Sequence, residues 1–158
     1  MTDLATTTAP PEGYHSLNAY ISVRGAKKAL EFYKRALDAK ELYRLDMPDG
    51  RIGHAEIQIG DSRLMLADEM PDMLDAVAKS PDSLGGTSFG LHVYVPDVDS
   101  AFKRALDAGA VVKRPVKDQF YGDRSGTFMD PFGHIWTLAT RVEEVSMEEI
   151  RNRMEGMA

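Results

Sequence analysis

The chain has no cysteine among its 158 residues. That excludes disulfides, thiolate metal sites and a cysteine nucleophile, and it fits a reducing compartment. Long hydrophobic runs are missing as well. No stretch approaches the ~20 apolar residues of a membrane helix, so no membrane span is expected. Positive charge is scarce, with 19 Lys and Arg against 25 Asp and Glu and a net charge of −6. The basic residues are scattered rather than blocked, which argues against a general grip on nucleic acid or anionic membranes. The stretch Met1–Gly13 lacks the basic and apolar regions of a signal peptide and reads as a mobile tail. A cytoplasmic location follows as the default. Gly85-Gly86 has no phosphate-loop context, and no Ser/His/Asp arrangement is supported by its surroundings.

What the chain does have is a repeat. Lys34–Ala39 reads KRALDA, and Lys103–Ala108 spells the same six letters. Six helix-favouring letters alone mean little, but the flanks agree. An alternating strand (Asn18–Val23, then Phe89–Val95) and a helical pattern precede each copy, and short alternating segments with Gly-containing turns follow. Two copies of one strand-helix-strand-strand-strand unit are predicted. The length suits one domain or two small modules sharing a core.

Alternation predicts a first strand over Ser16–Val23, with Leu17, Ala19, Ile21 and Val23 on its buried face. A helix with the stripe Ala29, Leu30, Tyr33 and Leu37 follows. Ala55, Ile57 and Ile59 oppose His54, Glu56 and Gln58 on a later strand. Pro71, Pro81 and Gly85-Gly86 mark a linker, and Asp72–Lys79 within it has helical potential. In the second unit Asp97 is a predicted N-cap and Gly109 the glycine ending that helix. Asp130-Pro131-Phe132-Gly133 joins the last two strands in a turn, with His134 part of the turn chemistry and Trp136 in the core. Ser146 and Glu149 form a capping box for a short helix whose stripe is Met147, Ile150 and Met154. That stripe predicts docking, on its own domain or over a dimer seam.

Two such units closed by the DPFGHIW hairpin resemble the vicinal oxygen chelate superfamily of glyoxalases, bleomycin-resistance proteins and extradiol dioxygenases. Gln119–Trp136, with Ile52–Ala55 and Gly60–Met65, looks like its PhnB-like branch. The resemblance implies an α+β fold: two βαβββ modules forming curved mixed sheets around a cavity, plus a short C-terminal helix. The expected divisions are 1–14 tail, 15–69 first module, 70–87 linker, 88–141 second module and 142–158 C-terminal helix. It also implies a homodimer. Relatives in that superfamily hold a divalent metal through His, Gln or Glu on the first and last strand of each unit. The matching positions here are Asn18, Gly90, Thr137 and the stretch Leu64–Leu66, a poor donor set. The usual metal is therefore expected to be absent, and no cofactor is predicted.

Parity places Tyr20, His54, Glu56, Met65, His92 and Tyr94 toward the cavity. His92 is a candidate ligand-contacting or acid/base imidazole, and Glu56 a general base if burial raises its pKa. Asn18, Tyr20, His54, Met65, Tyr94, Phe120, Tyr121, Arg124 and Thr137 are candidate ligand contacts. Phe120 and Tyr121 would wall the mouth, and Arg124 would hold an anionic group or bridge to Asp123 or Asp130. The expected function is binding of a small, partly apolar or aromatic molecule. The alternative is an enzyme using a displaced divalent metal at His54, Glu56 and His92, or metal-free His/Glu chemistry.

Overall fold

A computed structural model describes residues 8–73 and 78–157. Residues 74–77, the centre of the helical potential in the linker, lie outside them, as do residues 1–7 of the predicted tail. The first module runs β1 (Ala19–Val23), α1 (Ala26–Leu37), β2 (Lys40–Asp46), β3 (Ile52–Ile59) and β4 (Ser62–Asp68). After α2 (Pro81–Leu84) the pattern repeats as β5 (Gly90–Tyr94), α3 (Val98–Asp107), β6 (Val111–Asp118), β7 (Asp123–Met129) and β8 (Ile135–Arg141). α4 (Met147–Glu155) closes the chain. Each module forms one four-stranded sheet, ordered β1-β4-β3-β2 and β5-β8-β7-β6. The first strand pairs parallel to the last, and the other pairings are antiparallel. The fold is the predicted α+β arrangement of two βαβββ units with a C-terminal helix.

Strand parity explains the layering. Ile21, Val23, Ala55, Ile57, Leu64 and Leu66 are buried on the helix side of the first sheet, so Tyr20, His54, Glu56 and Met65 fall on its other, open face. α1 and α3 pack on each other, with Ala29, Ala36, Ala101 and Ala105 in the shared core. The two copies of the repeat also meet: Arg104 donates to Asp38 at 2.8 Å. Among the described residues no helix is long and apolar enough to cross a membrane.

Carboxylates fix the ends of these elements. α1 begins at Gly25, which makes no side-chain cap. Its free amides are met instead by Asp68 at the end of β4, whose Oδ1 accepts from Gly25 N and Ala26 N at 2.8 Å each. Oδ2 of the same residue accepts from Ile52 N. α3 carries its own cap, Asp97, which accepts from Ser100 N, and Gly109 follows it with φ 117°, as predicted. Glu69 anchors the segment that leads into the second module. It accepts from Arg24, Ser80 N and Ser83, and these donors outweigh burial and lower its pKa to about 2.

Two expectations need correction. β1 starts at Ala19 rather than Ser16, because Asn18 folds back: its Oδ1 accepts from His15 N and its Nδ2 donates to His15 O. That local turn competes with the ladder and leaves Leu17 91% exposed instead of buried. The linker also carries the short α2, which is not expected, started by Ser80 accepting from Ser83 N with Pro81 at its first position. His134 is also more than turn chemistry. It is buried, and its Nε2 donates to Ser22 O in the first module at 3.0 Å.

Candidate functional site

The open faces of the two sheets carry separate polar clusters. On the first, Tyr20 lies opposite Met65 in register, and Met65 lies opposite Glu56. A chain of contacts runs across this face. Tyr20 Oη is 2.8 Å from His54 Nδ1, His54 Nε2 is 3.1 Å from Glu56 Oε1, and Tyr43 Oη donates to the same Oε1 at 2.6 Å. Glu56 is buried, and its Oε2 faces Arg63 Nη1 at 3.5 Å without a well-formed hydrogen bond. Arg63 in turn lies over the Tyr14 ring, 4.9 Å from its centroid. Gly13 passes so close to that guanidinium that a Cβ there would overlap it, so the end of the predicted tail rests on this face.

Burial pushes the Glu56 pKa up, but Tyr14, Tyr43 and His54 directed at the carboxylate outweigh it and leave it below the usual range. Glu56 is thus a resident carboxylate, and the burial-raised base expected of it does not arise. The same charge raises the phenols: Tyr43 to about 12, mainly through its hydrogen bond. Tyr20 also rises, first by burial and then by the carboxylate.

On the second sheet His92 and Tyr94 pack ring to ring at 5.1 Å. Tyr94 donates to buried Asp123 Oδ2 at 2.9 Å, and Arg141 Nε stands 3.0 Å from Oδ1, off the line of a hydrogen bond. Thr137 and Thr127 are joined through their hydroxyls at 2.9 Å. Between β5, the β3–β4 turn and the segment leading into β1 opens a cleft of about 670 Å³. Asn18, Arg63, Phe89, Leu91, His92 and Tyr94 are among its walls.

The structure therefore brings Asn18, His92 and Tyr94 together in the cleft, and Tyr20, His54, Glu56 and Met65 together on the first sheet. Phe120 and Tyr121 form an edge-to-face pair in the β6–β7 loop, where Arg153 of α4 holds Phe120 O. Neither lines the cleft. Arg124 stands elsewhere. Alternation puts it on the helix side, where it clasps Asp99 through two nitrogens at 2.8 and 2.9 Å and Asp118 at 3.0 Å. It is committed as a structural clamp, with other partners than the Asp123 or Asp130 expected. Sequence reasoning misses Tyr43, Arg63 and Asp123. Tyr43 lies beyond the irregularity between Glu41 and Tyr43, which upsets simple alternation, whereas Arg63 shares parity with Met65 and is legible from it.

The residues at the superfamily's metal positions do not fit a divalent metal. Asn18 is bonded to His15, Gly90 has no side chain, Thr137 is paired with Thr127, and Leu64 and Leu66 are buried against the helices. Packing does not force the glycine, because a Cβ at Gly90 would meet only ordinary contacts at 3.6 Å and beyond. The displaced set fails too. Among the described residues no three His, Asp or Glu side chains are placed to share an ion.

Comparison with known proteins agrees with the topology. The family model described as Glyoxalase/Bleomycin resistance protein/Dioxygenase superfamily matches residues 15–138. The chain belongs to this superfamily. A Mycobacterium tuberculosis (strain ATCC 25618 / H37Rv) relative, the uncharacterized protein Rv0887c, is 45% identical over 141 residues, 89% of this chain and 83% of that one. Among solved structures, TioX from Micromonospora sp. ML1 superposes with a TM-score of 0.62 at 26% identity, covering 85% of this chain and 99% of TioX. A point mutant of the fosfomycin resistance protein FosX from Listeria monocytogenes, complexed with Mn(II) and 1S,2S-dihydroxypropylphosphonic acid, reaches 0.60 at 18% identity. The superposition covers 89% of this chain and 99% of FosX, a likeness of fold alone.

Proposed function

We propose that this glyoxalase-superfamily protein binds a small, partly apolar or aromatic molecule in the cleft between its modules, without the superfamily's usual metal. The supporting observation is the cleft itself: about 670 Å³, walled by Phe89, Leu91 and Tyr94, with His92, Asn18 and Arg63 as polar groups. That size and mix suit a small-molecule site. His92 is the assigned contact residue, exposed on β5 and packed against the Tyr94 ring. His92→Ala should abolish binding of an aromatic probe such as 2-phenylethanol while the melting temperature stays nearly unchanged. Unfolding of that variant would make His92 structural.

The metal-free enzyme is the second reading, favoured by the Tyr20–His54–Glu56 chain. A carboxylate orients an imidazole, which meets a half-exposed hydroxyl, and that order of groups can move a proton. We also place the chain in the PhnB-like branch, on the Gln119–Trp136 stretch, and in the cytoplasm as a homodimer. Supporting the dimer, α4 buries none of its side chains, and Met147 and Met154 are 65% and 63% exposed. Polar contacts attach it, from Arg153 to Glu143 and to Phe120 O.

A further inference from the structure

The hydrogen bonds on the first sheet have a fixed direction, and it starts at Glu56. An ionised carboxylate only accepts. Tyr43 Oη, 2.6 Å from Glu56 Oε1, must therefore give its proton to that oxygen. His54 Nε2, 3.1 Å from the same oxygen, must carry a hydrogen as well. In the neutral imidazole this leaves Nδ1 with a lone pair, so Tyr20 Oη must donate to it across 2.8 Å. Both phenols have then spent their only proton inward. What each turns outward is an oxygen that accepts.

Those oxygens belong to accessible rings. Tyr20 is 48% exposed and Tyr43 46%, and both flank the His54 ring, with centroids at 5.4 and 5.7 Å. Arg63 stands beside this network, 3.5 Å from Glu56 Oε2 and over the Tyr14 ring. The face thus offers electron-rich ring faces and acceptor oxygens over a buried carboxylate. An anionic ligand would find only acceptors at the two phenols. A cation bearing N–H groups would find both oxygens and rings.

We propose that the open face of the first sheet recognises an organic ammonium carried on an aromatic or apolar body, its N–H groups donated to Tyr20 Oη and Tyr43 Oη. This rests on the small-molecule reading above and adds the chemistry of the polar group. Arg63 links the two places: it lines the cleft and stands 3.5 Å from Glu56 Oε2.

The test compares three probes of one body at pH 8 by amide chemical-shift titration of the full chain: 2-phenylethylamine, 2-phenylethanol and 3-phenylpropionate. The amine should bind tightest and the carboxylate weakest. Tyr20→Phe and Tyr43→Phe, which keep the ring and delete the oxygen, should each weaken the amine by roughly tenfold. Their effect on 2-phenylethanol should be smaller. Binding without head-group preference, or amine affinity unchanged in both variants, overturns the ammonium proposal and leaves the small-molecule reading standing. Failure of all three probes to bind overturns the small-molecule reading, and this proposal with it.

Discussion

Tyr33 Oη, in the first module, donates to Asp130 Oδ2 in the turn between the last two strands at 2.7 Å, and both residues are buried. Trp136 Nε1 donates to the same oxygen at 2.8 Å, while Phe132 N and His134 N donate to Oδ1. One carboxylate thus organises the DPFGHIW turn and ties it to α1. Its charge adds to burial in pushing the Tyr33 phenol well above its ordinary value.

Tyr33→Phe removes one of four donors to a buried charge and leaves the ring packed against Trp136. Urea unfolding should show a loss of about 1.5–3 kcal/mol. Loss below about 0.5 kcal/mol, the lower end for an ordinary hydrogen bond, would mean that the Tyr33–Asp130 bond adds little to what holds the modules together.

Acid should weaken the anchoring of the segment between modules. The folded Glu69 pKa, about 2, lies below its ordinary value of 4.5. The stability it contributes is therefore fully present above pH 4.5 and is lost as pH falls toward 2. The contribution is on the order of 2–3 kcal/mol. In Glu69→Gln the fall of stability across that window should be shallower by this amount, as read by denaturant unfolding at stepped pH.

The first-sheet network makes a titration prediction. Tyr43 should ionise only near pH 12, because its proton is held by Glu56. Glu56→Gln removes the charge, so the Tyr43 pKa should move down toward 10.0, its ordinary value, followed by NMR of its ring carbons. An unmoved pKa would break the assigned link between the two residues.

Much of this architecture is legible in the sequence, for identifiable reasons. Period-2 alternation sorts Ile57 from Glu56 and Leu64 from Met65, because a strand sends neighbouring side chains to opposite faces. The KRALDA repeat locates two equivalent helices and through them the two modules. Long-range partnerships are not legible. Asp68 caps a helix that begins 42 residues earlier in the chain, and Arg124 chooses Asp99 over its sequence neighbours. Nothing local in the sequence marks such pairs. Asn18 fits the alternation of the first strand, yet its bonds to His15 make a turn.

α4 should mediate self-association. Light scattering at micromolar concentration is expected to give twice the chain mass, and charged replacements of Met147 and Met154 together should shift it to the monomer. A monomeric wild-type mass would leave the exposed methionines unexplained by a dimer.

Ligand binding is assigned to the cleft between β5, the β3–β4 turn and the segment leading into β1. The most direct measurement is an amide chemical-shift map of the full chain titrated with 2-phenylethanol. Saturable shifts concentrated at residues 17–19, 60–64 and 89–94, the segments that line the cleft, are predicted. Shifts scattered over the surface, or confined to α4 and the outer faces of α1 and α3, would contradict it.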